Sequence, residues 1–217
     1  LREALAAGVR RIEAGSGLTF GGARRPLLVS VRSGAAVSMP GMMETILNVG
    51  LTEATLRGLL RMTGNPRLVW DSYRRLVQSF AEVVHGAPAQ PFDAVLAEYL
   101  RRDGALRAQE LDARTLAAVA RENLELYQKL TGGEFPQDVH AQLDSAVRAV
   151  FRSWQRARAV EYRRLHHLDD TAGTAVTVQR MVFGNAGGSS GSGVAFSRDP
   201  ATGENRLYMD FLFNAQG

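Results

Sequence analysis

Two stretches carry residue types that could handle an anion. The first, residues 27–50, reads LLVSVRSGAAVSMPGMMETILNVG, an apolar run that delivers Arg32 into Ser33-Gly34 and then into a segment of small residues and methionines. A guanidinium at the end of a buried strand can make two parallel hydrogen bonds to phosphate oxygens. The same arginine could cap a helix C-terminus or pair with a carboxylate, and strand-Arg-Ser-Gly is a weak motif on its own. The second stretch is GGSSGSG, residues 187–193, between two strand-like runs. Its small residues let backbone N–H groups turn toward an anion, and its serines add donors. A flexible hairpin tip would have the same composition. No Lys-Ser or Lys-Thr follows, so the run is not a Walker A loop, and it opens into a strand, so it is not a dinucleotide fingerprint. Together the two stretches suggest two lobes, each with a phosphate-friendly element, arranged as a nucleotide clamp.

The elements around them must supply that arrangement. Residues 1–14 place Leu5, Val9 and Ile12 at helical spacing and stop at Gly15-Ser16-Gly17. Residues 27–31 are a continuous apolar run too short for a helix, hence a buried strand. Residues 43–49 read as a short helix closed by Gly50. From Thr52 to about Gly132 the periodicity is helical throughout: a helix capped by Thr52 and broken at Thr63-Gly64-Asn65-Pro66, a second over 68–84, a third over 92–100 and a fourth over 112–130. Asp71, Arg74 and Arg75 in the second helix are placed to tie this helical block together. Residues 137–165 read as one long helix. The tail then switches to period 2 at 174–183, 193–196 and 206–213, and the glycine-rich and Asp-Pro-Ala-Thr-Gly connections between these runs are hairpin signals, which predicts an antiparallel C-terminal sheet.

Composition narrows the function classes. The chain of 217 residues is 45% hydrophobic and has no cysteine, which excludes disulfides and thiolate metal sites, and its four histidines show no zinc-ligand spacing. The formal charge is +4 and the pI about 9.9. Lys129 is the only lysine among 26 basic residues, so the high pI reflects arginine usage. Most arginines sit beside acids on helix faces, as solvated surface does. No aromatic-basic interleaving of the kind single-strand binders use is present, which ranks nucleic acid last as a partner. No apolar run approaches the roughly 18 residues of a membrane span, and the N-terminus lacks a signal pattern; a cytoplasmic protein with no membrane partner is the expectation.

Several strings are specific enough to name a family. LLVSVRSGAAVSMPGMMETILNVGL, TGNPR, WDSYRRL, GGEFPQD, AVFRSW, TAVTVQRMVFGN, SGSGVAFSRDPATGE and FLFNAQG, in this order and across nearly the whole chain, closely resemble the N-terminal nucleotide-binding domain of pyruvate, phosphate dikinases. The resemblance implies an α+β fold of ATP-grasp type, two lobes clamping ATP, with an inserted helical subdomain and a C-terminal antiparallel sheet, incomplete over this stretch. The implied organisation is 1–51 as the first-lobe part with the phosphate-arginine strand, 52–136 as the helical insert, 137–183 as a long helix and strand completing the first lobe, and 184–217 as the start of the second lobe.

The implied activity is transfer of a pyrophosphoryl group from ATP to a histidine on a swivelling domain. In the full enzyme this serves conversion of ATP, phosphate and pyruvate into AMP, pyrophosphate and phosphoenolpyruvate. Its other partners would be the phosphohistidine domain and the pyruvate/phosphoenolpyruvate barrel of the same polypeptide, with homodimerisation through the barrel. By motif, Arg32 takes the role of the catalytic arginine on the ATP phosphates, and Gly191, Ser192 and Gly193 that of the loop covering them, with serine in place of the family's threonine. Gln179 and Met181 fall on the strand leading to the adenine side, where ligand contact and core packing remain equal alternatives. Arg158 and Asp210 are expected to face the swivelling domain; the family's Gly-Glu reads Met209-Asp210 here, keeping the acid. The glycine-rich segment with its lysine is expected before Leu1, and the Mg²⁺ carboxylates after Gly217, so the stretch alone is expected to bind ATP weakly and to be inactive. Two other readings are a phosphoenolpyruvate synthase-type ATP-grasp domain and a non-catalytic nucleotide-binding module.

Overall fold

The computed structural model describes residues 1–37, 39, 41–168 and 173–216. The chain divides into two compact units, Leu1–Met181 and Val182–Gly217.

The first unit is built around a three-stranded antiparallel sheet in the order β4-β3-β5. It begins with helix α1 (Arg2–Ser16), closed by Gly17 in the left-handed conformation with its N–H on the Glu13 carbonyl. A two-residue parallel pair follows, β1 (Thr19–Phe20) with β2 (Pro26–Leu27). Strand β3 (Val29–Gly34) then runs between β4 (Thr45–Val49) and β5 (Ala175–Arg180), antiparallel to both. Residues 45–49 are thus a strand and not the expected short helix. The pairing of β4 with β3 skips a residue between Val49 opposite Val29 and Ile46 opposite Val31. Asn48 occupies that bulge with φ 63°, a conformation asparagine tolerates better than most residues. Its turned-out N–H donates to the Met181 sulfur at 3.0 Å, and its Nδ2 to the Ser72 carbonyl at 3.4 Å. Ser33 and Gly34 likewise continue β3, opposite Val176 and Ala175, so Arg32 lies within the strand and not at its end as expected.

Four helices follow β4: α2 (Glu53–Thr63), α3 (Pro66–His85), α4 (Gln90–Asp103) and α5 (Ala113–Thr131). Their starts follow from local chemistry. Thr52 and Thr55 form a reciprocal cap on α2, Asn65 accepts from the Leu68 N–H with Pro66 at the first position of α3, and Asp112 caps α5. Helices α3 and α5 pack along each other around Tyr73, Phe80 and Tyr127, whose rings meet Phe135 at centroid distances of 6.0, 5.5 and 5.3 Å. Phe135 comes from the Phe-Pro-Gln connection to the next helix, so that string closes the aromatic core.

Helix α6 (Val139–Ser153) packs on β3, β4 and β5. Its Gln142 is fully buried: Oε1 accepts the Gly50 N–H at 3.0 Å, and Nε2 donates to the carbonyls of Leu51 at 2.9 Å and Pro136 at 2.7 Å. The expected single helix over 137–165 is broken at residues 154–156, and α7 (Ala157–Leu165) starts anew. The break is held by Arg163, 2% exposed, which donates Nη1 to the Trp154 carbonyl at 2.8 Å and lays its guanidinium 4.0 Å from the Trp154 ring centroid.

In the second unit β6 (Gly191–Phe196) and β7 (Tyr208–Phe213) form an antiparallel pair, with Gly191 opposite Phe213 and Phe196 opposite Tyr208. The hairpin signal between residues 183 and 193 does not pair the strands on its two sides: β5 joins β3 in the first unit, and β6 pairs with β7.

Candidate functional site

Alternation along β3 puts Ser30 and Arg32 on one face of the sheet and Val29 and Val31 on the other. The valines are fully buried, whereas Arg32 is exposed. Directly opposed residues in antiparallel pairs share a face. Thr45 on β4 and Thr177 on β5 both stand opposite Arg32, so the three form a row across the sheet, all exposed. One step along, Gln179 stands opposite Ser30 and faces the same side, also exposed. The result is a polar face with a guanidinium flanked by two hydroxyls and, in the next row, a primary amide.

Among the described residues Arg32 makes no side-chain hydrogen bond or ion pair, so neither a carboxylate partner nor a helix terminus occupies it. It shares its exposed face with two hydroxyls and an amide, a set of donors that suits a multivalent oxyanion. Met181 follows β5. It is 8% exposed, donates its N–H to the Leu28 carbonyl at 2.9 Å and accepts the Asn48 N–H on its sulfur. The first unit therefore brings together Arg32, Gln179 and the buried Met181 along β3 and β5. The residues the sequence does not single out are Thr45 and Thr177; strand register selects them, and register is invisible to periodicity alone.

Gly191, Ser192 and Gly193 lie in the second unit, within β6 rather than in the preceding loop. Ser192 Oγ donates to the Ala215 carbonyl at 2.6 Å. A methyl group added to Gly191 would run into the Phe211 ring and meet the Leu212 carbonyl oxygen at 2.6 Å. Cross-strand packing by itself therefore requires a glycine there.

Arg158 belongs to α7 and is half-exposed. Together with Arg156 it donates to Oε1 of Glu44. Asp210 lies on β7 of the second unit, opposite Val194, and is exposed. Asp71 and Arg74 form a largely buried ion pair of 2.6 Å on α3, with Arg75 on the other Asp71 oxygen at 3.1 Å. Burial pulls the Arg74 guanidinium below its ordinary value, and Asp71 opposes that shift. Among the described residues no group of three or more His, Cys, Asp or Glu side chains could hold a metal ion. No helix among them is long and apolar enough to cross a membrane.

The first unit is a mixed helix and sheet domain whose central strand carries an exposed arginine with no side-chain partner among the described residues. More specifically, the chain belongs to the family described as pyruvate phosphate dikinase, AMP/ATP-binding domain, whose model matches residues 1–213. It is 48% identical over 217 residues to a pyruvate, phosphate dikinase of Rhizobium meliloti (strain 1021), covering all of this chain and 24% of that protein. The corresponding protein of Giardia intestinalis is 49% identical over 219 residues, again covering all of this chain and 25% of the relative. That of Clostridium symbiosum is 47% identical over 203 residues, with 93% of this chain and 23% of the relative covered. The chain thus spans about a quarter of the length of these relatives.

Proposed function

We propose that this chain is the nucleotide-binding part of an ATP-grasp dikinase that passes a pyrophosphoryl group from ATP to a histidine on a separate, swivelling domain of the same polypeptide. In the whole enzyme this step would serve conversion of ATP, phosphate and pyruvate into AMP, pyrophosphate and phosphoenolpyruvate. Arg32 is the phosphate ligand of the first unit, and Gln179 and Met181 lie toward the adenine side. Gly191, Ser192 and Gly193 are the phosphate-directed residues of the second unit, and Arg158 and Asp210 are docking residues for the histidine domain.

The observation that carries the reading is the exposed Arg32 between Thr45 and Thr177, without a side-chain partner among the described residues, in a chain matched to the family over 213 residues. Phosphoryl transfer rests on positioning and on cations that neutralise charge developing on the phosphate oxygens. Arg32 can supply such a cation without first breaking an internal ion pair. The relatives named above are dikinases, which favours that reading over a synthase-type domain. Mg²⁺ would be held by residues other than those described.

The test is calorimetric titration of the full-length polypeptide with ATP, comparing Arg32 with Arg32→Ala and Arg32→Lys. The alanine variant should bind about tenfold or more weakly, the loss of about one charge-assisted contact, with lysine intermediate. Equal affinity in all three would remove Arg32 from the phosphate role.

A further inference from the structure

Strands β3 and β4 are not joined by a tight turn. Ten residues separate Gly34 from Thr45, so turn geometry does not set the register that places Thr45 opposite Arg32. Something else must pin the start of β4. Glu44, the last residue of the connection, is anchored twice to the α6–α7 corner. Its backbone N–H donates to Ser153 Oγ at 3.4 Å. Its carboxylate, only 14% exposed, receives Arg156 Nη1 and Arg158 Nη2 on a single oxygen.

The anchors are themselves fixed. Ser153 is fully buried and donates to the Val150 carbonyl at 2.7 Å, and Arg156 Nη2 donates to the Val83 carbonyl at 3.1 Å at the end of α3. The helix break at 154–156 starts α7 afresh, and both arginines lie at that start.

We propose that Glu44 is a positioning residue for Arg32. Its carboxylate, clasped by Arg156 and Arg158, holds the first residue of β4 in register and so fixes the strand pair that presents the Arg32 guanidinium. This rests on the reading of Arg32 as the phosphate ligand. Because two arginines share the carboxylate, an acidic partner surface that draws Arg158 away leaves Arg156 on Glu44, so docking through Arg158 and anchoring of the strand are compatible. Glu44 touches no nucleotide in this scheme; it acts through Thr45 and the strand pairing.

The experiment is a double-mutant cycle on the full-length polypeptide, with ATP affinity measured by calorimetry and amide exchange followed at residues 44–46. Glu44→Gln should weaken ATP binding about three- to tenfold and raise exchange at those amides, Glu44→Asp should recover most of the loss, and Glu44→Gln should add nothing in an Arg32→Ala background. Thermal unfolding of each variant reports whether the fold survives. An equal loss from Glu44→Gln with and without Arg32 would show that Glu44 acts on stability in general and overturn the proposal. So would unchanged affinity in Glu44→Gln while Arg32→Ala binds weakly, and that result leaves the phosphate role of Arg32 standing. If Arg32→Ala itself binds ATP normally, the reading of Arg32 fails and this inference falls with it.

Discussion

Arg163 stacks its guanidinium on the Trp154 ring at 4.0 Å and donates to the carbonyl of the same residue, so one side chain satisfies the end of α6 while folding α7 back against it. Residues 137–165 are apolar at helical spacing along most of their length, yet the chain turns at 154–156 because this pair makes the turn the lower-energy choice. Arg163→Leu keeps much of the volume but removes the planar donor, leaving a buried carbonyl unpaired and the ring without its cation. The expected loss is about 2–3 kcal/mol, read as a lowered unfolding midpoint together with faster amide exchange at 154–158. Arg163→Lys should recover little, since an ammonium offers neither the flat stacking surface nor the fork.

Gln142 answers a different need. At Gly50 φ is 108° and an added Cβ would meet the Leu27 carbonyl at 2.9 Å. One buried amide on α6 supplies a partner to the Gly50 N–H and to the Leu51 and Pro136 carbonyls. Gln142→Leu matches the size and removes all three bonds, so it should cost about 3 kcal/mol or more. Gln142→Glu keeps an acceptor for Gly50 and loses both donations, and it should be no better. Equilibrium denaturation of the three proteins checks the order.

The helices between residues 53 and 131 are legible in the sequence because their caps are local: Thr52, Asn65 with Pro66, Asp112, and a glycine after each helix. Asp71, Arg74 and Arg75, expected to tie the helical block together, pair with one another within α3. The misread segments depend on distant contacts. Residues 45–49 carry a spacing compatible with either period, and pairing with β3, plus the bulge at Asn48 held by Met181 and Ser72, decides for a strand. The break at 154 depends on Arg163. At the candidate site, the apolar run that leads into Arg32 can be read from the sequence, but the continuation of β3 past it to Gly34, the places of Thr45 and Thr177 and the Glu44 clasp require the register and the packing of α7.

His85 and Tyr127 give a pH prediction. The Tyr127 hydroxyl lies 2.8 Å from His85 Nε2, and burial pushes the Tyr127 pKa up to about 12, so the phenol stays protonated. Burial, and then the nearby Arg152 charge, hold His85 below its ordinary value. Between the folded and unfolded pKa values the unfolded chain binds the extra proton. The contribution of His85 to stability is therefore complete above the ordinary histidine range and is lost as pH falls through the folded pKa. Between about pH 8 and pH 5 the unfolding midpoint of the parent should fall more steeply than that of His85→Gln. Parallel curves would assign the pH dependence to other groups.

Gly191 is the position where packing and ligand readings are hardest to separate, and their consequences differ. An added methyl at Gly191 meets the Phe211 ring and also the Leu212 carbonyl oxygen at 2.6 Å, so trimming the ring alone leaves a backbone collision. Gly191→Ala should therefore expose the amides of 191–196 and 208–213 to exchange, and Phe211→Leu in the same chain should not restore them. If the glycine served only a bound phosphate, those amides would stay protected while ATP affinity fell. Ser192→Ala removes the hydrogen bond from Oγ to the Ala215 carbonyl, worth about 1 kcal/mol, and leaves the strand backbone intact. A drop in ATP affinity of about tenfold in Ser192→Ala, with β6 amides still protected, is accordingly the result that would tie this strand to the nucleotide. The same drop in Gly191→Ala would reflect only the lost hairpin.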